Sequence, residues 1–243
     1  MAIERVDYQA FDIKATGYAA YPAKATEKSP AIILAHAWRG LDDFVKEKAE
    51  MIASHGYVAF AADLYGGVEA KDDDEAFKLM SPLFVNRALL RKRFAAAFDL
   101  VKGMNRVDSN RVGAIGFCFG GAAVIELMRS GLDLKGIVSF HGVLGNQIGG
   151  LVASEEEVKT SKQCHALILH GDQDPLVTQQ DIDGLKREFT QSAIDWQFHI
   201  FGNTVHAFTN PAVDNFKEGL CFDAKANKRS WKMMFDFFEE ILK

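Results

Sequence analysis

The sequence lacks a long apolar run, a strong charge of either sign and any dense set of cysteines, and each shortage closes off a class of protein. No apolar stretch approaches the roughly 18 residues needed to cross a bilayer. The opening residues, MAIERVDYQAFDIKA, lack the basic segment and following apolar stretch of a secretory signal. These absences predict a cytoplasmic chain with no membrane partner. A formal net charge of −5 over 243 residues offers no basic field for nucleic acid, so the expected partner is a small molecule. Cys118, Cys164 and Cys221 are odd in number and have neither close pairing nor metal-ligand spacing, which predicts free thiols and no metal. Without a Pro/Gly/Ser-rich linker or an internal repeat, the expectation is a single domain over 1–243.

What is present is alternation. Residues 3–21 carry spaced aromatic and β-branched side chains and read as an antiparallel pair or as entry strands. AIILAH at 31–36 is a short continuous apolar run, as for a parallel strand buried on both faces. Helical spacing at Phe44, Lys48, Met51 and Ile52 stops at Gly56 and gives way to another buried strand, YVAFAADLYG. Asp72 to Asp74 read as a helix start or a solvated turn, and residues 86–103 carry a helical apolar stripe. RVGAIGF, KGIVSFHG, HALILHGDQD and WQFHIFGN continue as strands, with helices after Cys118, over 179–191 and at the C-terminus. This order predicts an α/β fold, a mostly parallel central sheet with helices on both faces. Binding crevices in such folds form beyond the carboxyl ends of the strands, where His36, Cys118, His141, Asp174 and His206 all fall.

Within that frame, Gly116-Phe117-Cys118-Phe119-Gly120-Gly121 passes from strand to helix through a cysteine flanked by glycines. A sharp turn of this kind needs small neighbours, and it sets the sulfur near a helix N-terminus that favours thiolate. The alternative is a buried, inert cysteine at a tight contact. A thiol nucleophile needs a base and a group that orients the base. Downstream, HGDQDPLV supplies Asp174, with Asp172 expected to hold the turn through its own backbone, and GNTVHAF supplies His206. The order Cys118, Asp174, His206 is the nucleophile, acid, histidine order of the α/β-hydrolase fold. The Phe119 amide is the first expected oxyanion-hole donor, and the amide of Trp38, after the strand at 31–36, is the second, unless Trp38 serves only as a packing aromatic.

Through HAWRG, AADLYG, GFCFGG, HGDQDPLV and VHAF the chain resembles the dienelactone hydrolases, the cysteine-using branch of the α/β-hydrolase fold. The resemblance covers nearly the whole chain and implies hydrolysis of small esters or lactones. It matches Cys118, Asp174 and His206 to the family triad, and the Trp38 and Phe119 amides to its oxyanion hole. Two positions depart from the family's name-giving enzymes. Ala37 stands where they have a glutamate that takes the thiol proton, and Asn210 where an arginine holds the substrate carboxylate.

Phe84, Arg87, Phe117 and His141, together with Trp38 and Phe119, are candidates for an aromatic substrate pocket, with core packing the alternative for the phenylalanines. Arg39 and Arg87 are either anion holders or surface residues, and His36 is expected to hold the loop. No cofactor is expected. Two other functions stay open: attack of the same thiolate on a phosphotriester, and a catalytically silent thiol-sensing domain. Met233, Met234, Phe237 and Phe238 suit core burial or a dimer contact, leaving monomer and homodimer both open.

Overall fold

The computed structural model describes residues 1–23, 28–154, 160 and 163–243. Eight strands form the main sheet: β1 (Ala2–Ala10), β2 (Ile13–Tyr21), β3 (Ser29–Ala35), β4 (Val58–Ala62), β5 (Val107–Phe117), β6 (Gly136–Phe140), β7 (His165–Gly171) and β8 (Asp195–Phe201). Their order is β1-β2-β4-β3-β5-β6-β7-β8. β2 runs antiparallel to β1 and to β4, while every pairing from β4 through β8 is parallel.

Among the described residues six α-helices cover the sheet: α1 (Asp43–Ser54), α2 (Asp73–Val85), α3 (Arg87–Gly103), α4 (Phe119–Met128), α5 (Gln179–Gln191) and α6 (Ala224–Leu242). Alternate residues of β3 face opposite ways, Ile33 toward α2 to α5 and Ile32 and Leu34 toward α1 and α6, so both faces of the sheet are buried. Polar caps fix the starts that the apolar stripe leaves vague. The Asp72 carboxylate accepts from the Glu75 amide to open α2, and Thr178 and Asp181 form a reciprocal capping box on α5.

This is the α/β-hydrolase arrangement. Parallel register sets Ala35 beside Gly116 and Phe117 beside Phe140, so the carboxyl ends of β3, β5 and β6 lie together with Cys118 at their centre. Of the C-terminal apolar residues, Met234, Phe237 and Phe238 are buried under the sheet and Met233 is half-buried. Among the described residues no helix is long and apolar enough to cross a membrane.

Candidate active site

Cys118 occupies the turn between β5 and α4 with φ 56° and ψ −116°, a conformation a side-chain-bearing residue adopts at a cost. The neighbours explain how the turn closes. A Cβ on Gly116 would stand 1.9 Å from the Gly120 carbonyl oxygen, and one on Gly120 would stand 2.2 Å from that of Ala35. Only glycine lets α4 press against the end of β3. The Cys118 amide donates to Phe140 O at 3.1 Å, and Cys118 O accepts from the amides of Gly121 and Val143 at 2.9 and 3.2 Å. The backbone is thus held on both sides while the residue stays partly open to solvent.

Asp174 and His206 come from the loops after β7 and β8. His206 Nδ1 lies 2.7 Å from Asp174 Oδ2, and both side chains are almost fully buried. The other carboxylate oxygen of Asp174 accepts from the Leu176 amide at 2.9 Å. The Asp172 carboxylate accepts from the Thr204 amide at 3.2 Å, so Asp172 ties one loop to the other instead of turning back on its own backbone. His206 is gripped through its main chain as well, since its amide donates to Gly219 O at 2.9 Å and its carbonyl accepts from the Cys221 amide at 3.0 Å. The acceptor and donor belong to a small hairpin pairing Asp214–Asn215 with Leu220–Cys221.

Burial alone would push the His206 imidazole's pKa down. The charge of Cys118, then hydrogen bonding to Asp174 and Cys118 and the charge of Asp174, outweigh it and raise the pKa to about 10. Nε2 is buried and makes no hydrogen bond of regular geometry, although Cys118 is near enough to act on the ring.

Two further histidines crowd this pair. His141, at φ 39°, contacts Thr209 Oγ1 through Nε2 at 2.8 Å and sets its ring 5.1 Å from that of His206. His170 Nδ1 lies 3.9 Å from Asp174 Oδ2, too far for a hydrogen bond, and has no other partner.

The amides of Trp38 and Phe119 take part in none of the loop and cap hydrogen bonds among the described residues. Three residues that the sequence did not single out, Tyr65, Asp63 and Thr209, take part in this region, the first two beside those amides. The Tyr65 ring stacks on Phe119 at 6.3 Å and its hydroxyl donates to Trp38 O at 3.2 Å. Asp63, buried behind it, accepts from the amides of Thr16, Tyr65, Gly66 and Gly67. Thr209 is the partner of His141. The available signal was the polar, glycine-containing turn DLYGG at the carboxyl end of β4, the same placement that marked the other candidates.

The pocket residues are scattered. Phe117 is 1% exposed and packs against Phe44, Phe140 and Trp231 on the α1 and α6 side, so it is a core residue and not a pocket wall. Alternation along β5 sends its side chain away from the face that carries α4. Phe84 is fully buried, and the Arg87 guanidinium sits over its ring at 4.2 Å; it supports Arg87 and lines nothing open. Arg87 is itself buried, donates to Gly145 O at 3.3 Å, and has its pKa pulled down to about 10, chiefly by burial. It is not a surface residue. Arg39 pairs with Asp73. A cavity of about 600 Å³ lies between residues 146–152 and the segment holding Pro175, Leu176, Thr178, Gln180 and Asp181. Neither Cys118 nor His206 lines it.

The dienelactone hydrolase family profile matches residues 15–242. The chain belongs to that family. As a dienelactone hydrolase family member it is a hydrolase of the ester and lactone class. Over its full length it is similar to the solved structure of a dienelactone hydrolase-like promiscuous phosphotriesterase from metagenomic libraries, with 33% identity, a TM-score of 0.89 and coverage of 100% of this chain and 99% of the other. It is also similar to protein usf of Aquifex pyrophilus, 27% identical with 98% and 99% of the two chains covered. A carboxymethylenebutenolidase homolog of Xenopus tropicalis is 22% identical over 75% of this chain and 72% of its own length. At the two departures from the name-giving enzymes, Ala37 brings no carboxylate, and the Asn210 side chain accepts from the Ala212 amide at 3.0 Å, shaping the turn after the histidine.

Proposed function

We propose that Cys118, His206 and Asp174 form the catalytic triad of this hydrolase and cleave small carboxylic esters or lactones through a thioester on Cys118. The observation that carries the reading is the buried His206 to Asp174 contact of 2.7 Å, together with the influence of Cys118 charge on the same imidazole. The His206 imidazole beside Cys118 is the group that takes the thiol proton, standing in for the family glutamate that Ala37 replaces.

The Cys118 sulfur attacks the carbonyl carbon, and the oxyanion accepts hydrogen bonds from the Trp38 and Phe119 amides. The tetrahedral species collapses to a thioester as His206 gives its proton to the departing alkoxide oxygen. Acylation consumes the thiolate charge, which is the first of the causes raising His206. The imidazole therefore becomes a base at the stage that needs one. It takes a proton from water, the hydroxide adds to the thioester, and collapse releases the acid and restores the thiolate beside imidazolium.

With p-nitrophenyl butyrate, Cys118→Ala is expected to abolish turnover and the acyl mass increment on the protein; undiminished turnover refutes the triad. The structural likeness to a promiscuous phosphotriesterase at 33% identity favours a second reading, in which the same sulfur attacks phosphorus. A dialkyl phosphoryl mass on Cys118 after exposure to paraoxon distinguishes it from acyl transfer.

A further inference from the structure

We infer that His36 is a positioning residue that aims the Trp38 amide at the developing oxyanion, an inference that rests on the triad reading above. The peptide bonds of the described residues are all trans, so the Ala37 carbonyl and the Trp38 N–H share one plane and point in opposite directions. Whatever grips the carbonyl sets the direction of the amide. His36 Nδ1 lies 2.7 Å from Ala37 O, and Gly40 N also donates to that oxygen at 3.3 Å.

The imidazole is itself fixed. Its Nε2 accepts from the Leu64 amide at 3.2 Å, which leaves the proton on Nδ1, where it donates to Ala37 O. His36 is fully buried, and burial pulls its pKa down, so the neutral donor-acceptor form is the one the loop receives. The ring meets Tyr65 at 4.6 Å, and the Tyr65 hydroxyl holds the next carbonyl, that of Trp38. The Ala70 amide holds the one after, that of Arg39, at 2.8 Å. Three successive carbonyls are therefore anchored, two of them by residues of the segment after β4, while the Trp38 amide, like that of Arg39, enters none of the loop bonds among the described residues.

An oxyanion donor acts only where charge develops, so its misdirection lowers kcat without weakening substrate binding or thiolate reactivity. The test compares His36→Leu, which loses both bonds, with His36→Asn, which keeps a donor near the Nδ1 position. Hydrolysis of p-nitrophenyl butyrate reads the oxyanion step, and alkylation of Cys118 by iodoacetamide, which forms no oxyanion, reads the thiolate. With three tryptophans in the chain, 15N-tryptophan labelling reads the Trp38 amide directly.

His36→Leu is expected to lower kcat by about tenfold or more, with KM within about twofold. The alkylation rate is expected to hold, the Trp38 amide signal to move, and His36→Asn to recover most of both. Alkylation falling in step with kcat, an unchanged kcat, or a Trp38 signal that stays in place overturns the inference. Should His36→Leu fail to fold, His36→Gln, whose side-chain amide reaches the Nε2 position and so keeps the Leu64 bond while losing the one to Ala37 O, must show the same split, and its absence overturns the inference equally. Turnover surviving in Cys118→Ala sinks the triad reading and the consequence of His36 for turnover with it; the Trp38 signal separates that failure from a failure of the His36 contact.

Discussion

The rings of His141 and His206 meet edge to face, 5.1 Å between centroids, and the site drives these two imidazoles to opposite charge states. Only His206 has a carboxylate, at 2.7 Å. Burial pushes His141 well below the ordinary value of 6.5, and the positive charge on His206 pushes it further. His206 rises to about 10.

Opposite shifts give opposite pH limbs to stability. His36, His141 and His170 have folded pKa values below 6.5, so the stability they carry as neutral rings is full above that pH and is lost as the pH falls below it. His206 contributes fully below 6.5, and its share is lost as the pH climbs through about 10. The histidine contribution is therefore expected to peak near pH 6.5. Urea unfolding midpoints across pH 5 to 10 check this, and Cys118→Ala, by removing one cause of the raised value, is expected to flatten the alkaline limb.

Asp174→Asn keeps the volume of the acid but removes the charge beside Nδ1 and permits the wrong tautomer. Turnover is expected to fall by about 10² to 10⁴ while the circular dichroism spectrum is retained. A loss under threefold would show that Asp174 does not orient His206.

Gly120→Ala directs a methyl group at the backbone of Ala35, 2.2 Å away, which no rotamer relieves. Destabilisation of about 3 kcal/mol or more is expected from urea unfolding. Cys118→Ser, at the same turn, adds no atom and is expected to keep the wild-type midpoint.

Glu126, on α4 behind Cys118, has its side chain only 3% exposed and binds Arg91 at 2.6 Å and Arg129 at 2.7 Å. Arg129 in turn binds Glu188 of α5. Truncating the shared carboxylate takes one partner from each of two largely buried guanidiniums, so Glu126→Ala is expected to cost about 3 kcal/mol. Arg129→Met combined with Glu126→Leu is expected to recover part of that loss, measured by the same unfolding curves.

Strand and helix order was legible because apolar runs of strand length alternate with 3.6-residue stripes, and α5 falls at residues 179–191 as its pattern implies. The convergence of Asp174 and His206 followed from chain order and from placement after strands. Tyr65 and Asp63 were hidden because their roles depend on the turn after β4 folding back on the loop after β3, a contact with no sequence period. Phe117 misled for a related reason. Flanking Cys118 suggests a pocket wall, but one step along a strand reverses the face.

The hairpin beside His206 has a dynamic consequence. Its two pairs, Asp214 with Cys221 and Asn215 with Leu220, share no ladder bond with the main sheet. His206 donates to and accepts from this hairpin, so opening it carries the histidine off Asp174 while β1 through β8 stay zipped. Local opening of this kind lies at the low end of a protein's free-energy scale. On warming, activity is therefore lost before far-ultraviolet ellipticity, and the His206 amide exchanges its hydrogen faster than the amides of β5.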